Sequence, residues 1–320
     1  MNTATRPAWL TAAQEHYTDT AARELIAAAW ELASRTPTPP DERSQMLLDL
    51  LLDLRGDASL LAAGLLVAPW REKHLDAEAL AESPCKAVTP LLQALDDLSL
   101  IDHLHEQEQS DLERLRKMLL AMASDMRAVI LKLALQVVLM RHMNQYSAAE
   151  QQRLALQTRD LLAPLANRLG IAQLKWELED RALRTLEPDI YQEISGELEG
   201  KRVDRERYIA RIIDLLRYRL TDAGVTVKRL YGRVKHINSI YLKMKRKGLR
   251  FEQLNDIRAV RVEVETEADC YHTLSVVNEL WQPIAEEFDD YIAHPKANGY
   301  QSLHTSLIGP ENRVIEVQIR

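Results

Sequence analysis

Cysteine is scarce. Cys85 and Cys270 are the two in 320 residues, far apart and in no CxxC or Cys/His spacing. That argues against a disulfide framework or a structural zinc site and fits a reducing, cytoplasmic compartment. Glycine (10) and proline (12) are also few, about 7% of the chain against an average usage of about 12%. Such scarcity disfavours a turn-rich all-β fold and favours helices. The opening MNTATRPAWLTAAQEHY lacks a basic region followed by an apolar core, so no secretory signal is read. No hydrophobic run is long enough for a bilayer. The most apolar one, Val129 to Met140, is too short and contains Lys132, so it reads as a buried helix with no membrane partner. A surplus of positive charge is missing too. The 41 Lys and Arg against 48 Asp and Glu leave a net charge of −7, which excludes a globally basic nucleic-acid coat.

What is present is a soluble composition, 46% hydrophobic and 28% charged. At roughly 150 residues per domain the length predicts about two domains. From Thr11 to about Asn144 good helix formers dominate, with Leu47, Leu48, Leu50, Leu51 and Leu54, and Leu112, Leu115, Leu119 and Met122, at helical spacing. Breaks are expected at Pro37 to Pro40, Pro69, Ser83-Pro84 and Pro90. Ser147 and Glu150 form a capping-box pattern for a helix towards Leu162. Leu174 to Leu186 reads as helix, with Pro188 ending it or opening the next. Leu198 to Leu220 reads as one long helix or a broken pair. Near Gly224 the character changes to α+β: strands are expected at Arg258 to Val264 and Val314 to Ile319, and a helix over Ala268 to Leu280.

Another absence is local. Lys228 to Arg250 holds nine Lys or Arg and no Asp or Glu, a reversal of charge suited to phosphates. A helix from near Val234 to Lys247, with Gly248 at C′, would gather Lys235, Ser239, Lys243 and Arg246 in one sector at about 100° per residue. Ile237, Ile240, Tyr241 and Met244 would lie opposite, able to sit on a sheet. The segment does not match GxxxxGK[ST], and a solvated basic face is the competing reading. Asp256 is expected to begin a strand, and Glu316 shares a strand face with Gln318. Two acids at strand ends suit one Mg²⁺, which takes carboxylate and phosphate oxygens, though edge-strand salt bridges would look alike. HPKANGYQSLHTSL adds Lys296, Asn298, Tyr300, Gln301 and His304 around an Asn-Gly turn. A Tyr there can stack on a base, or simply fill a hairpin, and His304 can be structural.

YGRVKHINSIYLKMKRKG, FEQLNDIRAVRV, EFDDYIAHPKANGYQSLHT and VIEVQIR, in that order and spacing, resemble the synthetase domain of the RelA/SpoT family. LLAPLANRLGIAQLKWELEDRALRTLEP resembles the helical segment joining that family's two catalytic domains. The resemblance implies a mainly α, HD-like pseudo-hydrolase domain over 1–145. A helical connector over 146–199 and an α+β, nucleotidyltransferase-like synthetase domain with a mixed sheet over 200–320 would follow. It implies transfer of the ATP β,γ-pyrophosphate to the 3′-hydroxyl of GTP or GDP, making (p)ppGpp in the stringent response. Arg233, Lys235, Ser239, Lys243 and Arg246 would hold the ATP phosphates. Asp256 and Glu316 would hold Mg²⁺, Glu316 also being the base, with Arg233 and Lys235 assisting the transfer. Tyr300 would stack on guanine, and Lys296, Asn298, Gln301 and His304 would contact the guanine nucleotide or the transferring phosphates. Glu287 to Asp290 matches the acidic signature of the synthesis-only branch.

In bifunctional relatives a His-Asp pair follows an apolar helix, where this chain reads AAGLLVAPW, with Val67-Ala68 at the pair. Leu135 stands where a later metal-associated Asp would be. Apolar groups cannot ligate Mn²⁺, so loss of hydrolase activity is expected. In the family the synthetase domain runs on past QIR into more helix and then regulatory domains that engage the ribosome and uncharged tRNA. A chain stopping at Arg320 is therefore read as a C-terminally truncated portion, and the alternative function is a catalytically weak guanine-nucleotide-binding fragment. A plain RNA-binding helical protein would need neither the two acids nor the Tyr300 turn.

Overall fold

The computed structural model describes residues 10–11, 15–99, 125–200, 202–233, 235–251, 254, 257–296 and 299–320. Among these the chain divides into two compact units, Met1–Leu165 and Ala166–Arg320, a division that falls inside the expected connector. The spacing Leu112 to Met122, Asp256 and Asn298 lie outside the described residues.

The first unit is helical. Its helices are α1 (Thr20–Ser34), α2 (Glu42–Asp53), α3 (Ala58–Arg71), α4 (Ala77–Ala81), α5 (Thr89–Ser99), α6 (Met126–Arg141) and α7 (Ala148–Gln157). Aspartates open several of them: Asp19, Asp41, Asp57, Asp76 and Asp125 each accept a first-turn amide, satisfying donors the helix cannot pair itself. α7 opens on the expected Ser147–Glu150 capping box and continues through one π turn, Thr158–Leu162, into α8 (Ala163–Arg168). The centre of the unit is α3 and α6, apolar nearly all round, as the run Val129 to Met140 foretold. Pro69 does not break α3 as expected; it sits in the last turn, where the helix is ending anyway, and its carbonyl accepts the amides of His74 and Leu75. Cys85 and Cys270 are buried free thiols.

The second unit is α+β. α9 (Ala172–Leu186) and α10 (Pro188–Gly200) precede α11 (Arg202–Asp222), so the stretch 198–220 is a broken pair. Then come β1 (Val227–Gly232), α12 (Ile237–Lys247), β2 (Ala259–Val264), α13 (Glu267–Leu280), β3 (Gln282–Asp290), β4 (Leu303–Ile308) and β5 (Val314–Ile319). The sheet order is β1-β2-β5-β4-β3, mixed, with β2 and β5 parallel and the other pairs antiparallel. β5 is central, and alternation along it splits the sheet. Ile315, Val317 and Ile319 join Val260, Val262, Leu303 and Leu307 in a core closed by Tyr208, Ile212, Leu216 and Leu220 of α11 and by Val276 and Val277 of α13. Glu316 and Gln318 face the other way.

Three expectations are corrected. β2 begins at Ala259, one residue after the expected Arg258. α12 begins at Ile237, three residues later than expected, because His236 is still extended at the N-cap. The apolar face of α12 does not rest on the sheet. Ile237, Ile240, Tyr241 and Met244 pack with Ile190, Ile194 and Leu198 of α10 and with Phe251 and Leu254 in a separate small core. Gly248 ends α12 in the left-handed conformation (φ 63°), as expected of a C′ glycine.

Candidate active site

The polar sheet face is built by register. β2–β5 pairing sets Arg261 beside Gln318, and β4–β5 pairing sets His304 beside Gln318 and Ser306 beside Glu316. Gln318 is almost wholly buried, and both ends of its amide are used. Its Nε2 donates to Glu316 Oε1 (2.6 Å), and its Oε1 accepts from Arg261 Nη2 (2.8 Å). One carboxylate oxygen of Glu316 is thereby fixed. The other, Oε2, lies 3.7 Å from Arg233 Nη1. Arg233 leaves the end of β1 with its amide on the carbonyl of Ala259 (2.8 Å), while its buried Nε has no partner among the described residues. Arg258 and Arg261 carry the same kind of buried, unpartnered Nε among the described residues, so this edge of the sheet holds three guanidinium donors that call for an explanation.

His304 closes the other side. Its Nδ1 is 3.6 Å from Glu316 Oε1 and its Nε2 is 3.0 Å from the Tyr300 hydroxyl. Burial holds the imidazole down at about 4, against the opposing pull of Glu316. The ring is therefore neutral at pH 7. Tyr300 meets Tyr291 edge to face (6.3 Å), and the Lys296 ammonium stands 4.0 Å over the Tyr291 ring and 5.7 Å from that of Tyr300. Gly299, at φ 75°, makes the turn possible, its amide bonding the carbonyl of Lys296 (2.8 Å). Gln301 is exposed and lines, with Tyr300, Glu267 and Arg320, a cavity of about 360 Å³ rather than the Glu316 cluster.

Of the expected residues, the fold thus brings together Arg233, His304 and Glu316, with Tyr300 bonded to His304 and Lys296 above the tyrosines. Ser239, Lys243 and Arg246 ride on α12, with Lys235 just before its N-cap. Gln318 and Arg261, which orient Glu316, were not read as site residues. The signal was there in the shared alternation of Glu316 and Gln318. Among the described residues Glu316 is the carboxylate within the cluster, Asp289 stands beside His304 across the β3–β4 pairing, and no group of three ligating side chains is present. That donor set fits Mg²⁺ taking most of its ligands from phosphates and water.

The helical unit has a cavity of its own, of about 510 Å³. Val67, Ala68 and Leu135 all line it, so the three positions read as replaced metal-associated residues converge. Lys132 and Gln136 are buried in its wall, and Gln136 Nε2 donates to Thr158 Oγ1 (2.8 Å) at the π turn. His142 is satisfied structurally, its Nδ1 2.8 Å from the Val138 carbonyl; His103 lies outside the described residues.

A family signature described as the region found in RelA / SpoT proteins matches residues 232–320, and an HD domain signature matches residues 21–172. A probable guanosine-3′,5′-bis(diphosphate) 3′-pyrophosphohydrolase from Synechocystis sp. is 41% identical over 271 residues, covering 85% of this chain and 36% of that protein. The GTP pyrophosphokinase of Escherichia coli is 38% identical over 308 residues, covering 93% and 41%. This chain thus spans about two fifths of the length of these relatives. Among solved structures, that of a GTP pyrophosphokinase family protein from Streptococcus pneumoniae is similar over 39% of this chain and 69% of that one, at 27% identity and a TM-score of 0.33. Fold and signatures define a two-unit protein, an HD domain ahead of a mixed-sheet region with a polar strand face. That second region is the one found in RelA/SpoT proteins, and the chain belongs to the RelA/SpoT family.

Proposed function

We propose that this chain transfers the β,γ-pyrophosphate of ATP to the 3′-hydroxyl of GTP or GDP, a reading that its relatives named GTP pyrophosphokinase support. The observation that carries the reading is the cluster of Arg233, Gln318, His304 and Glu316 on one sheet face. Glu316 accepts the proton of the 3′-hydroxyl; the 3′-oxygen bonds to the β-phosphorus, the α–β bridge breaks, and AMP leaves. Arg233 and the basic side of α12, with Lys235, Ser239, Lys243 and Arg246, hold the phosphates and neutralise the charge of transfer. Glu316, with Asp256, would hold Mg²⁺, which supplies charge neutralisation to the phosphates when bound. Tyr300 stacks on guanine. Lys296, Asn298, Gln301 and His304 serve the guanine nucleotide or the transferring phosphates. The neutral imidazole bonds the Tyr300 hydroxyl on one side and lies 3.6 Å from Glu316 on the other.

The reading extends to the first unit, proposed to be a pseudo-hydrolase of the synthesis-only kind. Val67, Ala68 and Leu135 offer no donor to Mn²⁺. The test is one assay: γ-labelled ATP, Mg²⁺ and GDP or GTP, with labelled (p)ppGpp as product and Glu316→Gln as control. Product from the wild type and none from Glu316→Gln is expected. Saturable GDP binding lost in Tyr300→Ala, without product, would favour the binding-fragment reading instead. Labelled (p)ppGpp incubated with Mn²⁺ is expected to stay intact; metal-dependent release of pyrophosphate would overturn the pseudo-hydrolase.

A further inference from the structure

α12 does not cap itself. His236 at its N-cap makes no side-chain hydrogen bond to the helix, yet the first amides of a helix need acceptors. They find them on α9, more than fifty residues earlier. Asp180 Oδ1 accepts from the Asn238 amide (2.7 Å) and Oδ2 from the Ile237 amide (3.4 Å). The same carboxylate lies 3.5 Å from His236 Nδ1. One turn earlier, Trp176 stacks on the His236 ring at 4.5 Å and 20°. Glu179 hydrogen-bonds the Asn238 side chain and pairs with Lys175 at 3.4 Å. Trp176, Glu179 and Asp180 stand at i, i+3 and i+4, one face of α9, and between them they hold the N-cap His236 and the first two helical residues, Ile237 and Asn238. With the apolar side of α12 also on α10, the basic helix is mounted on the α9–α10 pair.

We propose that Asp180 is a positioning residue for ATP binding: its carboxylate, set by α9, fixes where Lys235, Ser239, Lys243 and Arg246 stand. This rests on reading α12 as the helix that meets the ATP phosphates. The carboxylate takes the place at the helix N-terminus that a phosphate would otherwise fill, and complements the helix dipole. The phosphates are therefore met by the side chains of α12 and not by its end. Any displacement of α9 is passed to the ATP side of the site and spares the guanine side, which is carried by the β3–β4 connection.

The test is calorimetric binding of α,β-methylene-ATP with Mg²⁺, and separately of GDP, to the whole chain and to Asp180→Ala and Asp180→Asn. Asp180→Ala is expected to weaken the ATP analogue about five- to tenfold, the worth of one cap, with GDP affinity unchanged within twofold. Asp180→Asn, whose Oδ1 still accepts from Asn238, is expected to recover most of that affinity. Amide exchange at Ile237 and Asn238 should quicken in Asp180→Ala alone. Equal affinity of Asp180→Ala and wild type for the analogue overturns the proposal and leaves the transferase reading intact. So does parallel loss of analogue and GDP, which would mark general destabilisation. A wild type that binds GDP but not the analogue overturns the ATP reading of α12, and this proposal with it.

Discussion

The helical unit holds a lined cavity and the α+β unit a polar sheet face, and the two differ at the centre. In the helical unit the centre is Val67, Ala68 and Leu135, with cations in the wall; in the α+β unit it is Glu316, braced by Gln318 and faced by Arg233 and His304. The helical scaffold needs none of the missing donors. Leu60, Leu61, Leu65 and Leu66 of α3 and Leu131, Ala134 and Val137 of α6 fill the interior whatever stands at the cavity surface. The active-looking face carries buried polar groups that need partners: Arg261, Gln318 and Glu316 are hydrogen-bonded in succession and His304 bonds Tyr300, while the Nε atoms of Arg233 and Arg261 have no partner among the described residues. Scaffold and chemistry are separable, and a handful of side chains decides which unit can act.

The sharpest way to break this comparison is at Glu316. Glu316→Gln is expected to lower pyrophosphate transfer by at least about a hundredfold, measured as labelled (p)ppGpp, with an unchanged far-ultraviolet circular dichroism spectrum. A smaller loss would remove Glu316 as the base. Next in size is Gln318→Leu, which frees Glu316 Oε1 and strands the Arg261 guanidinium. A loss of about 1–3 kcal/mol in chemical denaturation is expected, together with a fall in kcat larger than any change in KM. Stability and kcat both at wild-type level would show that the amide orients nothing.

The third effect is pH dependence. An imidazole held at about 4, below its ordinary 6.5, contributes stability that is present above about pH 6.5 and lost as pH falls towards 4. The thermal midpoint should therefore drop between pH 7.5 and 5.0, and in His304→Asn that drop should shrink by about 2–4 °C. An equal drop in both proteins would contradict a buried neutral His304. The smallest effect belongs to the helical cavity. Leu135→Ala is half-buried and outside the proposed chemistry, so transfer should stay within twofold while stability falls by about 1–2 kcal/mol. A large loss of transfer would mean that the two units are coupled through this cavity.

Much of this was legible in residue order. The capping box at Ser147, the opening of α10 at Pro188, the left-handed Gly248 and the core alternation of β5 all follow from local chemistry. β3 and β4 were not read as strands. β3, QPIAEEFDD, is an exposed edge strand rich in acids, with Pro283 near its start, and carries no apolar alternation. β4 buries Thr305 and Ser306, which look like loop residues until their strand partners are known. The Glu316 network spans Arg233 to Gln318, and only strand register brings those residues side by side. The mounting of α12 on α9 and α10 was missed for a similar reason: an apolar helical face announces that it is covered, never by what.

The central place of β5 has a consequence for the order in which the protein comes into being. β2 and β4 both border β5, so until it is inserted each presents an open edge, and Arg233 has no Glu316 to face. As the chain leaves the ribosome, the helices can close on local contacts, while the sheet must wait for a strand that pairs in parallel with one more than fifty residues earlier. A pause before β5 would leave an unfinished sheet with sticky borders and no catalytic face, so the interval between β4 and β5 is where a folding helper would matter most.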